Sequence, residues 1–360
     1  MTLAVSIAQS GANNVTMRNR VINGAMMIDQ RNNGASVSTP TNKQYCLDRW
    51  AFWFNGGGGS AAATVQQSSV APAGFVNSIA ITQAASYSPT STNYNVFAQY
   101  IEGYNVADFG WGTANAQPVT LSFWVRSSLT GTFGGAISNS GQTRSYPFTY
   151  TINSANTFEF KTITIPGDTA GTWLTTTATG MQLYWQLGVG STYLGTAGAW
   201  AGAAYLGATG ATQITATNGA TFYITGVQLE EGTAATAFEQ RLYGTELALC
   251  QRYYWRWTAG YSSHPLAVFQ VYNTSSAWGK LFDLPVPMRA VPTASTSGSF
   301  AATNAGASAL SNFSTTSIAQ NTTGMLATGA WTGSSGLVAG NATVVCAAAA
   351  GNYIDASAEL

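Results

Sequence analysis

The sequence predicts an all-β protein: a jelly-roll-like β-sandwich, one connecting helix and a second, smaller β-sandwich domain. Three observations carry this. Apolar and polar residues alternate at period two in several short runs. Turn signals separate the runs, among them Gly56–Gly59, Gly134-Gly135, Pro166-Gly167-Asp168 and Asn218-Gly219. Helical periodicity is convincing in one place only, Gly244–Tyr254. Many short strands at such spacing suit a sandwich, most simply a jelly roll.

Residues 1–44 carry Asn13-Asn14 and Asn32-Asn33 and no sustained alternation. They have little core of their own, which predicts an extended segment that docks onto a larger assembly. Residues 45–243 read as the sandwich. Val119, Leu121, Phe123 and Val125 share one face, and Thr120, Ser122, Trp124 and Arg126 the other. Met181, Leu183, Trp185, Leu187 and Val189 alternate with Gln182, Tyr184, Gln186 and Gly188. Phe222 and Ile224 alternate with Tyr223 and Thr225. Between Thr157 and Ile165 the apolar parity slips. Either a β-bulge near Lys161 or a change in which face is covered accounts for that.

In the helical tract Thr245 can cap the start, and Leu247, Cys250 and Tyr254 make an apolar stripe. The helix connects to a second β domain, so that 244–360 forms one region. Leu266–Tyr272 and Trp278–Leu284 read as its strands, Pro285, Pro287 and Pro292 as an edge or loop. Thr293–Ser335 is rich in Ser, Thr, Ala and Gly, and apolar character returns at Thr343–Cys346 and Tyr353–Asp355.

Only 7% of the 360 residues are charged, against roughly 25% in an ordinary globular protein. Net charge is zero. The surface must therefore be Thr, Ser, Asn, Gln and Gly, which suits subunit packing or hydroxyl-rich ligands and keeps copies apart only weakly. The 13 Lys and Arg are scattered, which argues against nucleic acid. No apolar run approaches the ~18 residues of a membrane span. The N-terminal residues lack the basic and apolar regions of a signal peptide. Cys46, Cys250 and Cys346 are too few and too far apart for a disulfide framework or a zinc motif, and read as buried thiols.

Chemistry finds little purchase. The single histidine, His264, lies in a Tyr261–Pro265 turn with no carboxylate near in sequence. Asp48 reads as the partner of a nearby cation, and Asp168 as a turn residue bonding its own backbone. No metal-ligand spacing, phosphate loop or cofactor motif is present. The expectation is no enzyme, no metal and no cofactor. The aromatics remain: 11 Trp, 17 Tyr and 16 Phe. Most belong to core or interface. Trp257, Tyr261, Trp278 and Trp331 lie near turns of the second domain and are the candidate glycan-binding residues, stacking on a sugar's C–H face.

Five tracts point further. They are Asn23-Gly-Ala…Asp29-Gln-Arg31 with Leu47-Asp-Arg-Trp50; Leu121–Ser127; Ile165–Trp173; Gly226–Gly232 running into Phe238-Glu239 and Glu246–Tyr254; and Leu284–Pro292. In this order they resemble phage tail fibres and related virion surface proteins with a carbohydrate-binding-module-like jelly roll. The resemblance runs from about Arg18 to the C-terminus. It implies a virion structural protein, a tail fibre or similar appendage, assembled in the host cytoplasm and contacting host-surface glycans. The alternative is a capsid decoration or head-fibre protein without a receptor role. The resemblance also implies a homo-oligomer, a trimer by preference. The N-terminal segment would then bind other virion proteins, with Arg18, Arg20 and Arg31 as attachment candidates.

Overall fold

The computed structural model describes residues 17–38, 40–56, 62–273, 276–304, 311–313, 318–320, 324–327 and 338–360. Two compact units are present. One runs to Glu246 and takes in Leu360; the other spans Leu247–Glu359.

The first unit is a sandwich of two six-stranded sheets. Its strands are β1 (Val37–Ser38), β2 (Gln44–Leu47), β3 (Trp50–Asn55), β4 (Ala63–Ser68), β5 (Ser78–Gln83), β6 (Tyr94–Glu102) and β7 (Val119–Ser127). After these come β8 (Gly131–Asn139), β9 (Ser145–Ile152), β10 (Glu159–Ile165), β11 (Thr179–Val189), the short pair β12 (Leu194–Gly195) and β13 (Gly207–Ala208), and β14 (Thr221–Glu231). The first sheet has the order β1-β4-β5-β14-β7-β10, the second β2-β3-β6-β11-β8-β9. All ladders within these two sheets are antiparallel. The chain passes repeatedly from one sheet to the other, as in a jelly roll.

The predicted parities hold except at the end of β11, where a register shift between Gln186 and Gly188 moves Val189 to the face of Tyr184. Leu121, Phe123 and Val125 of β7 and Leu183 and Trp185 of β11 are fully buried between the sheets. Trp50 stacks on Phe97 with centroids 5.0 Å apart, and Phe123 meets Trp185 edge-on at 5.6 Å. Such pairs add to the burial of large rings, the dominant stabilising term here. The slip near Lys161 is not a bulge: β10 pairs β7 without a register shift. Phe158 and Phe160 instead sit with Tyr223 and Trp124 on the outer face, and Phe160 stays 45% exposed. As an edge strand, β10 has its outer face only partly covered.

The N-terminal expectation needs correction. From Met17 onward the chain does not extend away but packs into the sandwich. Val21, Met26 and Ile28 are buried, the first two in the main core. A shift in β14 between Thr225 and Gln228 frees backbone for this strap. Arg20 N–H donates to Leu229 O at 2.9 Å and Val227 N–H to Gly24 O at 3.0 Å. On the other sheet, Gln99 of β6 exchanges hydrogen bonds with the backbone of Ile22 at 2.9 and 3.0 Å. Gly24 is required here, because a Cβ would run into the Val227 carbonyl. Residues 1–16 lie outside the described residues.

Helix α1 (Tyr243–Gln251) spans the unit boundary and is shorter than expected. Thr245 lies inside its first turn, and Tyr254 falls in a strand, not on the apolar stripe. The second unit is also all-β. A three-stranded sheet and a larger one are built from β15 (Tyr254–Thr258), β16 (His264–Asn273), β17 (Ser276–Asp283), β18 (Thr293–Ser297) and β19 (Phe300–Asn304), among others. Phe269, Val271, Leu281, Val345 and Ile354 form its core. The prolines fall in the connection between β17 and β18. All three cysteines are buried free thiols, and burial pushes Cys46 up to about 12.

Candidate functional site

The second sheet of the first unit has a second apolar face, turned away from the core. In β3, Trp50 and Phe52 point inward, so Ala51 and Trp53 point out. In β6, Tyr94, Val96, Ala98 and Tyr100 share that outer face, and in β11 Tyr184 does. The register aligns small side chains across four strands: Ala51 opposite Ala98, Ala98 opposite Tyr184, Tyr184 opposite Ala136. Beside this row lies an open depression of about 280 Å³, over a floor that includes Trp53, Tyr100 and Gln182.

Trp53 is the hub of the aromatic set. Its ring centroid lies 4.8 Å from Tyr94, 5.7 Å from Tyr184 and 6.5 Å from Tyr100, and Tyr193 meets Tyr94 edge-on at 5.2 Å. These rings constrain one another, so Trp53 presents a fixed, half-buried surface.

The polar groups are of two kinds. Some are satisfied internally. The Tyr184 hydroxyl donates to Gln182 Oε1 and accepts from Gln142 Nε2 at 3.0 Å. Gln182 Nε2 donates to Ser140 O at 3.0 Å. The Tyr100 hydroxyl is different. Tyr100 is only 3% exposed, yet its oxygen has no hydrogen-bond partner among the described residues. Burial first, then the neighbouring phenols of Tyr184, Tyr45 and Tyr94, push its pKa far up, so it remains a neutral donor. Burial and Tyr193 raise Tyr94 to about 12. A buried hydroxyl left without a partner costs stability, and with less than 1 Å² of its surface accessible this one is sealed beneath the face.

Two turns flank the depression. Lys43 has φ 54° and Gln142 φ 52°, both in the left-handed region that side chains seldom adopt. Asn139 Oδ1 fixes the second turn by accepting from Thr143 N–H at 2.9 Å and Arg144 N–H at 3.1 Å. Lys43 Nζ lies 4.4 Å from the centre of the Tyr100 ring. Ser140 and Thr179 add hydroxyls to the rim.

No protein-family model matches the chain. No curated protein matches it in sequence. Solved structures give weak likenesses. The enzymatically active domain of tailspike protein 4 of bacteriophage CBA120 is 15% identical over 61% of this chain, with TM-score 0.33. The match spans 22% of the tailspike chain. A CBM4 structure is 16% identical over 58% of this chain and 98% of its own, with TM-score 0.29. The family 11 carbohydrate-binding module of a Clostridium thermocellum cellulosomal cellulase is 10% identical over 57% of this chain and 99% of its own, with TM-score 0.28.

The residues singled out from sequence lie elsewhere. Trp257 and Tyr261 come together around His264 in the second unit. The Tyr261 ring stacks on the imidazole at 4.3 Å, and Trp257 meets it at 5.1 Å. Tyr261 is 56% exposed, but Trp257 also packs on Phe282 and the core. His264 Nδ1 accepts the Gly260 N–H at 3.0 Å, a turn-holding role. Trp278 stands in β17 with its side chain outside the described residues, as is all of Trp331.

The three arginines fasten the strap to its own unit. Arg18 Nε pairs with Glu230 at 3.1 Å, Arg20 with Asp108 at 2.5 Å and Arg31 with Asp48 at 3.5 Å. The last confirms a cation beside Asp48. Asp168 does bond its turn, at Ala170 N–H, but its main partner is Arg144 at 2.6 and 2.8 Å. Among the described residues no three His, Cys, Asp or Glu gather as a metal site would require.

Sequence reasoning missed Trp53, Tyr100 and Tyr184 as a group. A signal existed in β11, where Tyr184 stands between Gln182 and Gln186 on the supposedly wet face. In β6 every position is buried, so no alternation marks its outer face.

Proposed function

We propose that this chain is a virion appendage protein, a tail fibre or related surface fibre, whose first unit holds a host-surface saccharide on the outer face of the second sheet. The observation that carries the binding site is the Trp53-centred aromatic floor bordered by the amides and hydroxyls of Gln142, Gln182, Ser140 and Thr179. A sugar ring has an apolar C–H face, which stacks on an aromatic surface, and hydroxyls that need buried polar partners. Trp53 supplies the first, and Gln142, Gln182 and Ser140 the second. The floor crosses three adjacent strands, β3, β6 and β11, a width of roughly 9 Å at the usual strand spacing, and the turn after β8 closes its far side, which suits a short oligosaccharide.

Binding rather than cleavage is the better reading of this face. Among the described residues no Asp or Glu lines the depression, whereas glycoside hydrolysis generally uses a carboxyl pair. The virion assignment rests on the five sequence tracts and the charge-poor composition. The same composition favours association into a homotrimer, because little charge is desolvated when copies meet. A stable monomer in native mass spectrometry at micromolar concentration would remove that part.

The test is a glycan array probed with the intact chain and with Trp53→Ala, together with cryo-EM of particles. Binding lost in Trp53→Ala, with density at the tail, supports the proposal. Density over the capsid lattice and no glycan bound would make decoration the better account.

A further inference from the structure

We infer that β10 is the docking edge for a second copy of this chain, the two β10 strands pairing antiparallel about a two-fold axis with Phe160 opposite Phe160. This goes beyond the saccharide site and does not rest on it. Three of the four sheet edges of the first unit are short or covered. In β9, Ser145 exchanges backbone hydrogen bonds with Ala201 at 2.9 and 3.0 Å, and Pro147 offers no N–H. β2 has four residues, and Asn32 Nδ2 donates to the Cys46 carbonyl at 2.7 Å. β1 has two residues. β10 differs. It runs seven residues in unbroken register with β7 and holds no proline. Among the described residues no hydrogen bond beyond the β7 ladder reaches its backbone. An edge of this kind is a template for another strand.

The side chains fit a copy of the same strand. Glu159 and Lys161 share the inner face and pair at 2.6 Å. With the register centred on Phe160, each lies opposite the other residue of the second copy, so unlike charges meet on both sides of the axis. On the outer face Phe160 is 45% exposed and lies 5.4 Å from Trp124, its partner in the ladder. Docking extends that row to four rings. A register centred on Thr162 would set both charged residues opposite isoleucines. It would also run into Pro166, whose carbonyl accepts the Trp200 indole N–H at 2.8 Å. The two-fold contact closes at two copies; combined with the threefold association proposed above it gives six. The competing account is that Lys161 only blunts the edge, as lysines on edge strands do.

The test is native mass spectrometry and sedimentation of the intact chain, of Lys161→Glu, of Glu159→Lys and of the two variants mixed. The intact chain should show two or six copies. Each reversal sets like charges opposite one another twice and should weaken pairing about tenfold. Mixing should restore it, because one variant is acidic at both positions and the other basic; a role confined to one copy gives no such recovery. Phe160→Cys, at a half-exposed position, tests the register independently. The native thiols are buried, so oxidation should link copies through this variant and not through Thr162→Cys. An intact chain found only as monomer or trimer, reversals without effect, no recovery on mixing, or linkage through Thr162→Cys in place of Phe160→Cys would each overturn the inference.

Discussion

Tyr100→Phe removes one oxygen and leaves the ring packing in place. In the free protein that oxygen is buried and without a partner. Such a group costs about 1–3 kcal/mol, so the variant should be more stable by ~1 kcal/mol. For a unit of this size that corresponds to a rise in Tm of roughly 2–4 °C. Saccharide affinity should stay unchanged, because less than 1 Å² of that oxygen is accessible and a ligand on the face does not reach it. Calorimetry of the first unit's transition in the intact chain, with saccharide titration of the same samples, measures both. A lower Tm would mean that the hydroxyl is satisfied in the free protein. A raised Tm with weakened affinity would mean that the hydroxyl meets the ligand. Either result refutes the reasoning from a sealed, unpartnered donor.

Three further outcomes are expected. Deleting residues 1–30 should unfold the first unit, because Val21, Met26 and Ile28 leave its interior at about 1.5–3 kcal/mol each, against a total margin of ~5–15 kcal/mol; circular dichroism with limited proteolysis reads this. Asn23→Ala should cost on the order of 2–4 kcal/mol in urea unfolding, since the side chain holds Ile28 N–H, Ile28 O and Asp48 O at 2.8–2.9 Å. Burial would raise the Glu159 carboxyl, but Lys161 at 2.6 Å and the N–H groups of Ser154 and Asn153 outweigh it and hold the group at about 2 instead of 4.5. A depressed carboxyl stabilises fully above its unfolded value, so this contribution fades as pH falls from 4.5 towards 2. Lys161→Met should flatten that part of the stability–pH curve, and an unchanged curve would contradict the pairing.

The sandwich was legible where one face of a strand is buried and the other wet. β7 shows this: its inner residues are fully buried, while Trp124 and Arg126 reach the surface. β6 and β11 were less legible, because the aromatic set closes over their outer faces and erases the contrast. The candidate site lies on those strands, so its residues read as surplus core. The strap was illegible for another reason. Its order comes from side chains bonding backbone, such as Asn19 to Val227 O and Leu229 N–H, and Asn23 to Asp48 O. Bonds of that kind leave no hydrophobic period in a sequence. At β10 the parity slip was visible, but only the pairing partner could show that the edge strand keeps its register.

The strap also decides how the first unit bears load. Glu239 accepts the N–H groups of Met17, Arg18 and Asn19 at 2.8–3.0 Å. Arg241 grips the carbonyls of Asn19 and Val21. The chain's way in and its way out are thus stitched side by side. A pull between Met17 and Leu242 is met first by this row of parallel bonds, while the two six-stranded sheets lie off the line of force. Tension applied at those two points would leave the Trp53 floor in its shape.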